Sequence, residues 1–222
     1  MPNAEPAWSP LLEVEAVRIP RGLFRLLLCA TAVLVPAVSA HAQTQFGGII
    51  GATFSTLRGI DGLDTRTGLI GGLSLVSGGA LGLQTGLLFT SKGAKGSTSN
   101  ADGVQLDYVE VPLALRLSLG QGSNINPHVY AGPYFGFKIT CKVEGFSGDC
   151  DDIPGVSTKS VDIGGVVGGG LDFSFGPLVL ITGLRYGFGI STVADFEFGS
   201  VRESAKNGSF AIYTGLAIKL GG

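Results

Sequence analysis

After residue 42 the chain carries one histidine, His128, and a general base of that kind beside a nucleophile or carboxylate is what hydrolysis or acyl transfer would need. Four acids in "CKVEGFSGDCDDIPG", Glu144, Asp149, Asp151 and Asp152, offer oxygen ligands of the type calcium takes, but their spacing fits no EF-hand loop. The run "GGVVGGG" (164–170) has the glycine content of a phosphate cradle, which also needs a helix opening directly after it. Seven charges of mixed sign, Glu110, Arg116, Lys138, Asp162, Asp172, Arg185 and Lys219, recur singly inside apolar stretches. Two thiols, Cys141 and Cys150, flank the acidic stretch. Which of these can act depends on the elements that carry them.

The 222 residues have the length of one domain, with 37 glycines, 14% charged residues and a net charge of −2. No Lys/Arg run provides an electrostatic footprint for nucleic acid, so that partner is excluded. Residues 1–42 read as an export signal: Arg18, Arg21 and Arg25 precede the apolar "LLLCATAVLVPAV", and Ala40-His41-Ala42 is a small-x-small cleavage site. The mature chain then starts at Gln43. Glu5, Glu13 and Glu15 are out of place in a positive leader and point to translation starting near Val17. Cys29 lies within the leader behind Leu27 and Leu28, which is no lipid-attachment context. Cys141 and Cys150 remain after export to an oxidising compartment; one disulfide is expected, and two free loop thiols are the alternative. No apolar run beyond the leader is long enough for a membrane-spanning helix.

From Phe46 onward apolar and polar residues alternate with period two, cut by turn residues into eight segments near 46–57, 67–76, 80–91, 104–119, 127–140, 160–175, 177–190 and 207–220. The second is apolar on both faces. Long connections (58–66, 92–103, 141–159, 191–206) alternate with short ones (77–79, 120–126, Gly176), so all the long ones fall at one end. That asymmetry and an even strand number are the signature of an all-β, eight-stranded, up-and-down antiparallel transmembrane barrel.

The stretch "LDYVEVPLALRLSL" decides which face meets lipid. With Val109, Val111, Leu113, Leu115 and Leu117 outward, Glu110 and Arg116 point into the barrel; the opposite register would place Arg116 in hydrocarbon at a cost of about 2–4 kcal/mol. The same rule turns Gln84, His128, Tyr130, Tyr134, Lys138, Asp162, Asp172, Arg185 and Lys219 inward. Outward rings sort into two interface belts, Phe46, Phe173 and Phe175 at the short-turn end and Phe54, Phe89, Phe137, Phe188 and Phe210 at the other.

Five segments, "FSTLRG", "LLFTSKGAKG", "LDYVEVPLALRL", "VYAGPYFGFK" and "GLRYGFGI", together resemble the PorT-like outer-membrane β-barrel domain family, in order and over nearly the whole mature chain. The resemblance implies a small outer-membrane barrel, with some members tied to protein secretion or to porin-like roles, and it supplies no catalytic residues. One departure is the end "AIKLGG", where barrel proteins commonly finish on an aromatic residue read by the insertion machinery; here Leu220 takes that place.

On these elements the chemistry narrows. His128 sits at the short-turn end, away from the outer leaflet, so no catalytic residue is expected, and neither a metal site nor a cofactor. The 164–170 glycines lie within a strand pattern, where they relieve crowding in a narrow lumen. The seven inward charges are expected to pair, because eight strands leave a lumen that side chains fill. Pro112 and Pro133 fall mid-strand and call for a bulge or a missing ladder bond at similar heights. The expected protein is a non-enzymatic outer-membrane component making surface or partner contacts through its loops. A narrow porin is the alternative and a lipid-modifying enzyme a distant one. Its expected partners are outer-membrane lipid, the barrel-insertion machinery, and secretion or surface proteins.

Overall fold

The computed structural model describes residues 43–59, 63–96, 103–120, 122–143, 150, 156–198 and 201–220. The leader and the acids Glu144, Asp149, Asp151 and Asp152 lie outside the described residues. Among the described residues ten strands follow in chain order: β1 (Gln43–Arg58), β2 (Leu63–Gly78), β3 (Leu81–Gly96), β4 (Val104–Ser118), β5 (Ile125–Val143), β6 (Val156–Thr158), β7 (Val161–Phe175), β8 (Leu178–Gly189), β9 (Ala194–Phe198) and β10 (Val201–Leu220). Eight of them form a closed antiparallel barrel in the order β1-β2-β3-β4-β5-β7-β8-β10, sealed by pairing β1 with β10 from Thr44↔Leu220 to Arg58↔Lys206. Closure leaves the eight barrel strands without an edge, which strands in hydrocarbon require because lipid offers no hydrogen bonds.

Tight turns join β2 to β3 and β7 to β8. At Gly176 the φ of 64° suits glycine and lets Gly176 and Pro177 close the hairpin. At the other end the strands outrun the expected boundaries. Residues 92–96 belong to β3, and the segments expected as loops at 141–159 and 191–206 contain β6, β9 and the first part of β10, which pair as a small sheet beyond the barrel wall. Alternation in stretches this short is hard to separate from loop composition, and the pairing partners that stabilise them come from distant parts of the chain.

The outward face is apolar, with Leu81, Leu115, Leu184 and Ile212 all exposed. β2 is apolar on both faces for a specific reason: Leu69 and Leu73 face outward while Ile70 packs inside against Leu88, Val179, Ile181 and Tyr213. A register shift turns one more residue inward. Tyr108 faces Lys138 but Asp107 faces Thr140, so Ile139 is an extra residue that reverses side-chain parity along the rest of β5. Cys141 is thereby buried beside Leu106.

The inward glycines of β7 and β8 make room for tyrosines. A Cβ on Gly164 would lie 2.6 Å from the Tyr134 ring, one on Gly168 2.4 Å from Tyr130, and one on Gly183 2.5 Å from the Tyr213 hydroxyl. Each ring therefore rests where a neighbouring strand has no side chain.

Both prolines sit at gaps in the ladders. β3–β4 pairing stops at Thr85↔Leu113 and resumes at Leu88↔Glu110, beside Pro112; β4–β5 pairing stops at Pro112↔Tyr134 and resumes at Leu115↔Ala131, beside Pro133. The Thr85 hydroxyl donates to the Pro112 carbonyl at 2.7 Å and satisfies the acceptor that the gap leaves over. Thr85→Val should therefore strand that carbonyl and destabilise the refolded barrel by about 1–3 kcal/mol, read as a lower urea midpoint in detergent micelles. An unchanged midpoint would show that the carbonyl finds another donor.

Candidate functional site: the charged lumen and its cap

The alternation that exposes leucines outside delivers charges inside. Glu110 on β4 and Asp162 on β7 both face Gly136 of β5 across their ladders, so two carboxylates stand at one height with a single glycine between them. Two anions placed this way in a low-dielectric interior repel unless a cation separates them. Lys92 of β3 supplies it. Its Nζ lies 2.5 Å from Glu110 Oε1 and 3.1 Å from Asp162 Oδ2. The ammonium also sits 4.4 Å from the centre of the Tyr134 ring and 5.3 Å from that of Tyr108.

The remaining valences are filled locally. Arg185 donates to Glu110 Oε2 at 2.5 Å, while Tyr134 Oη at 3.0 Å and Asn207 Nδ2 at 2.8 Å donate to Asp162 Oδ2. Two cations and two carboxylates balance, and all four side chains are buried. A second balanced pair lies nearer the short turns, where Arg116 binds Asp172 and Gln84. His128 lies with it, its Nδ1 3.4 Å from Asp172 Oδ1 and its ring stacked on Tyr130. No described nucleophile is hydrogen-bonded to His128.

Of the seven charges singled out in the sequence, Glu110, Arg116, Asp162, Asp172 and Arg185 are thus brought together in the buried lumen. Lys138 is half-buried toward the long-connection end and donates to Thr158, and Lys219 is half-buried at the short-turn mouth. Lys92 and Asn207 were missed. Lys92 fell in a segment expected to be loop, although the inward series Leu88, Thr90, Lys92 simply continues the strand period; Asn207 bears no charge to draw attention.

Above the charged layer the lumen closes. Leu57, Ala94, Val104, Leu106, Val193 and Ala205 pack around a disulfide between Cys141 and Cys150, whose Cα atoms are 5.5 Å apart. The bridge ties the end of β5 to Cys150 and holds both sulfurs inside this apolar cap. Of the eight rings expected at the interfaces, Phe46, Phe54, Phe89, Phe137, Phe175 and Phe210 are exposed on the outer face, and Phe173 and Phe188 are half-buried. The Phe188 ring covers Gly165, where a Cβ would meet it at 2.3 Å.

The family model for the outer membrane protein beta-barrel domain matches residues 41–195. The chain belongs to this family. Its barrel is accordingly an outer-membrane one. No curated protein sequence matches the chain. Among solved structures, a major outer membrane protein from Thermus thermophilus is 16% identical over 81% of this chain and 100% of its own, with a TM-score of 0.51, and shares the fold. Neisserial surface protein A (14% identity, 81% and 99% covered, TM-score 0.48) and OprG from Pseudomonas aeruginosa (13%, 82% and 96%, 0.45) also match.

In a family barrel of this kind, removing one member of the charged layer leaves its partners buried and uncompensated. Lys92→Ala is expected to destabilise the fold by about 3–5 kcal/mol, seen as loss of the heat-modifiable band after refolding. Lys92→Met combined with Asp162→Asn keeps the Glu110–Arg185 pair and restores charge balance, so it should recover much of the loss. Equal damage from the single and double substitutions would contradict the pairing.

Proposed function

We propose that the protein is a non-conducting, non-catalytic component of the outer membrane that works through its long-connection end. The observation that carries this reading is the filled lumen. Between the apolar cap and the short-turn mouth, two voids lined by the inward side chains are about 10 and 20 Å³. Voids of that size hold about one water each. Solute passage would require the Lys92–Glu110–Arg185 layer to come apart, and a buried ion pair does not open without a substantial penalty.

In this reading the short turns and both ends of the mature chain are periplasmic, the long connections are external, and the leader is cleaved after Ala42. The exposed leucines and the two sets of phenylalanines contact outer-membrane lipid. The insertion machinery reads the last strand as far as Leu220. Secreted or surface proteins are the partners of the external end, where the disulfide and the β6–β9–β10 sheet stiffen the connections. The Tyr-x-Glu-x-Pro-Leu core at Tyr108–Leu113 and the Ala-Gly-Pro-Tyr segment at Ala131–Tyr134 support a PorT-like placement within the family. Both motifs have structural work in this barrel, since their tyrosines face the charged layer and their prolines mark the ladder gaps.

Purified barrel in a planar bilayer should show little or no steady conductance. Reproducible wild-type channels whose ion selectivity changes with Arg116→Ala would replace this reading with that of a narrow porin.

A further inference from the structure

The lumen is not filled at its short-turn end. A cavity of about 340 Å³ opens there among the strand ends and the turn after β4, within the size range of small-molecule sites. Arg116 forms its floor. One nitrogen of the guanidinium is bound to Asp172, but the Nε–H is buried and has no partner among the described residues. Gly82 stands opposite Arg116 in the β3–β4 ladder and Gly78 faces Gly82 across β2–β3, so these two positions place no side chain over the guanidinium, whose second nitrogen donates to Gln84 at 3.4 Å.

Lys219 stands at the rim, half-buried, and makes no ion pair within 4.0 Å among the described residues. Arg116 and Asp172 cancel, which leaves the cavity one positive charge. Gln45 is the cross-strand partner of Lys219 and buries an unpartnered Oε1 in the same wall. The rest of the lining consists of amides, hydroxyls and glycine backbone, with Val76 as its one apolar side chain. Asn126 spends its Oδ1 on the Gly120 N–H at 3.0 Å, which leaves its amide hydrogens to donate elsewhere.

We propose that this cavity binds a small hydroxylated carboxylate of the size and polarity of a sugar acid. The carboxylate meets Lys219 at the rim, above the Arg116–Asp172 pair. Ligand hydroxyls, being both donors and acceptors, match Gln45, Asn124, Asn126 and Ser118. An acyl chain or aromatic ring would strand these polar groups against apolar surface and is disfavoured. The assignment does not require the lumen to conduct, so it stands or falls separately from the closed-barrel reading.

The test is calorimetric titration of the full mature barrel in nanodiscs with glucuronate, with glucose, glucosamine and inorganic phosphate as comparisons. Glucuronate should bind saturably and more tightly than the other three, and more weakly as salt is raised. Lys219→Met should weaken glucuronate about fivefold, as expected for a solvent-accessible ion pair, with no change in heat-modifiable migration. The selectivity among the four probes tests the site on the wild-type protein even if the variant fails to fold. Glucose binding as tightly as glucuronate would overturn the carboxylate, phosphate binding as tightly would overturn the hydroxyls, and a Lys219→Met barrel that keeps full affinity would overturn the site.

Discussion

Hydrocarbon leaves no polar group an external partner, and this one constraint organises the barrel. Every backbone donor and acceptor in the spanning strands must be met by a neighbouring strand, and every charge must turn inward and, where it is fully buried, find a counter-charge. The β1–β10 seam meets the first demand for the sheet as a whole. Lys92 meets the second at the point where it is hardest, between Glu110 and Asp162, which the register places at one height. Without a cation there, the two carboxylates would oppose closure of the ring.

Local irregularities follow from the same demand. The prolines of β4 and β5 interrupt adjacent ladders, and a threonine hydroxyl takes up the carbonyl left over. In the upper wall, where the β2–β3 register shifts, the Thr53 hydroxyl donates to the Ser91 carbonyl at 2.7 Å. The glycines of β7 and β8 allow tyrosines to lie flat across the lumen, so that aromatic mass fills the interior. Filling and charge balance together make the lumen a core, and a core that happens to be polar is costly to open.

The two ends of the lumen differ in kind. At one end an apolar cluster and a disulfide close it; at the other, glycines and short polar side chains leave a basin floored by an ion pair. The difference comes from what each strand contributes near its terminus. Above the charged layer β3, β4 and β5 contribute Ala94, Leu106 and Cys141, whereas near the turns Gly78, Gly82 and Gly120 contribute no side chains at all. Family membership and the outer-membrane setting apply to the whole barrel, whereas its two ends differ in packing and polarity.

Much of this was legible in the sequence, because a period of two in a lipid-facing strand leaves little choice. In β4 the leucines at 113, 115 and 117 can only face out, and Glu110 and Arg116 can only face in. Turn residues and the alternation of short and long connections determined the number of barrel strands and their closed antiparallel order, but not the short strands β6 and β9. The sequence could not specify which inward charges meet, since contact between β3, β4, β7 and β8 depends on the stagger between strands and not on spacing along any one of them. Lys92 shows the limit: its segment reads as loop, and only the pairing of β3 with β4 extends the strand far enough to set an ammonium between two acids. Cys141 shows it again, because the parity that buries it comes from one extra residue at Ile139. Periodicity determines the faces of a strand, but the meeting of side chains across a lumen belongs to the closed ring.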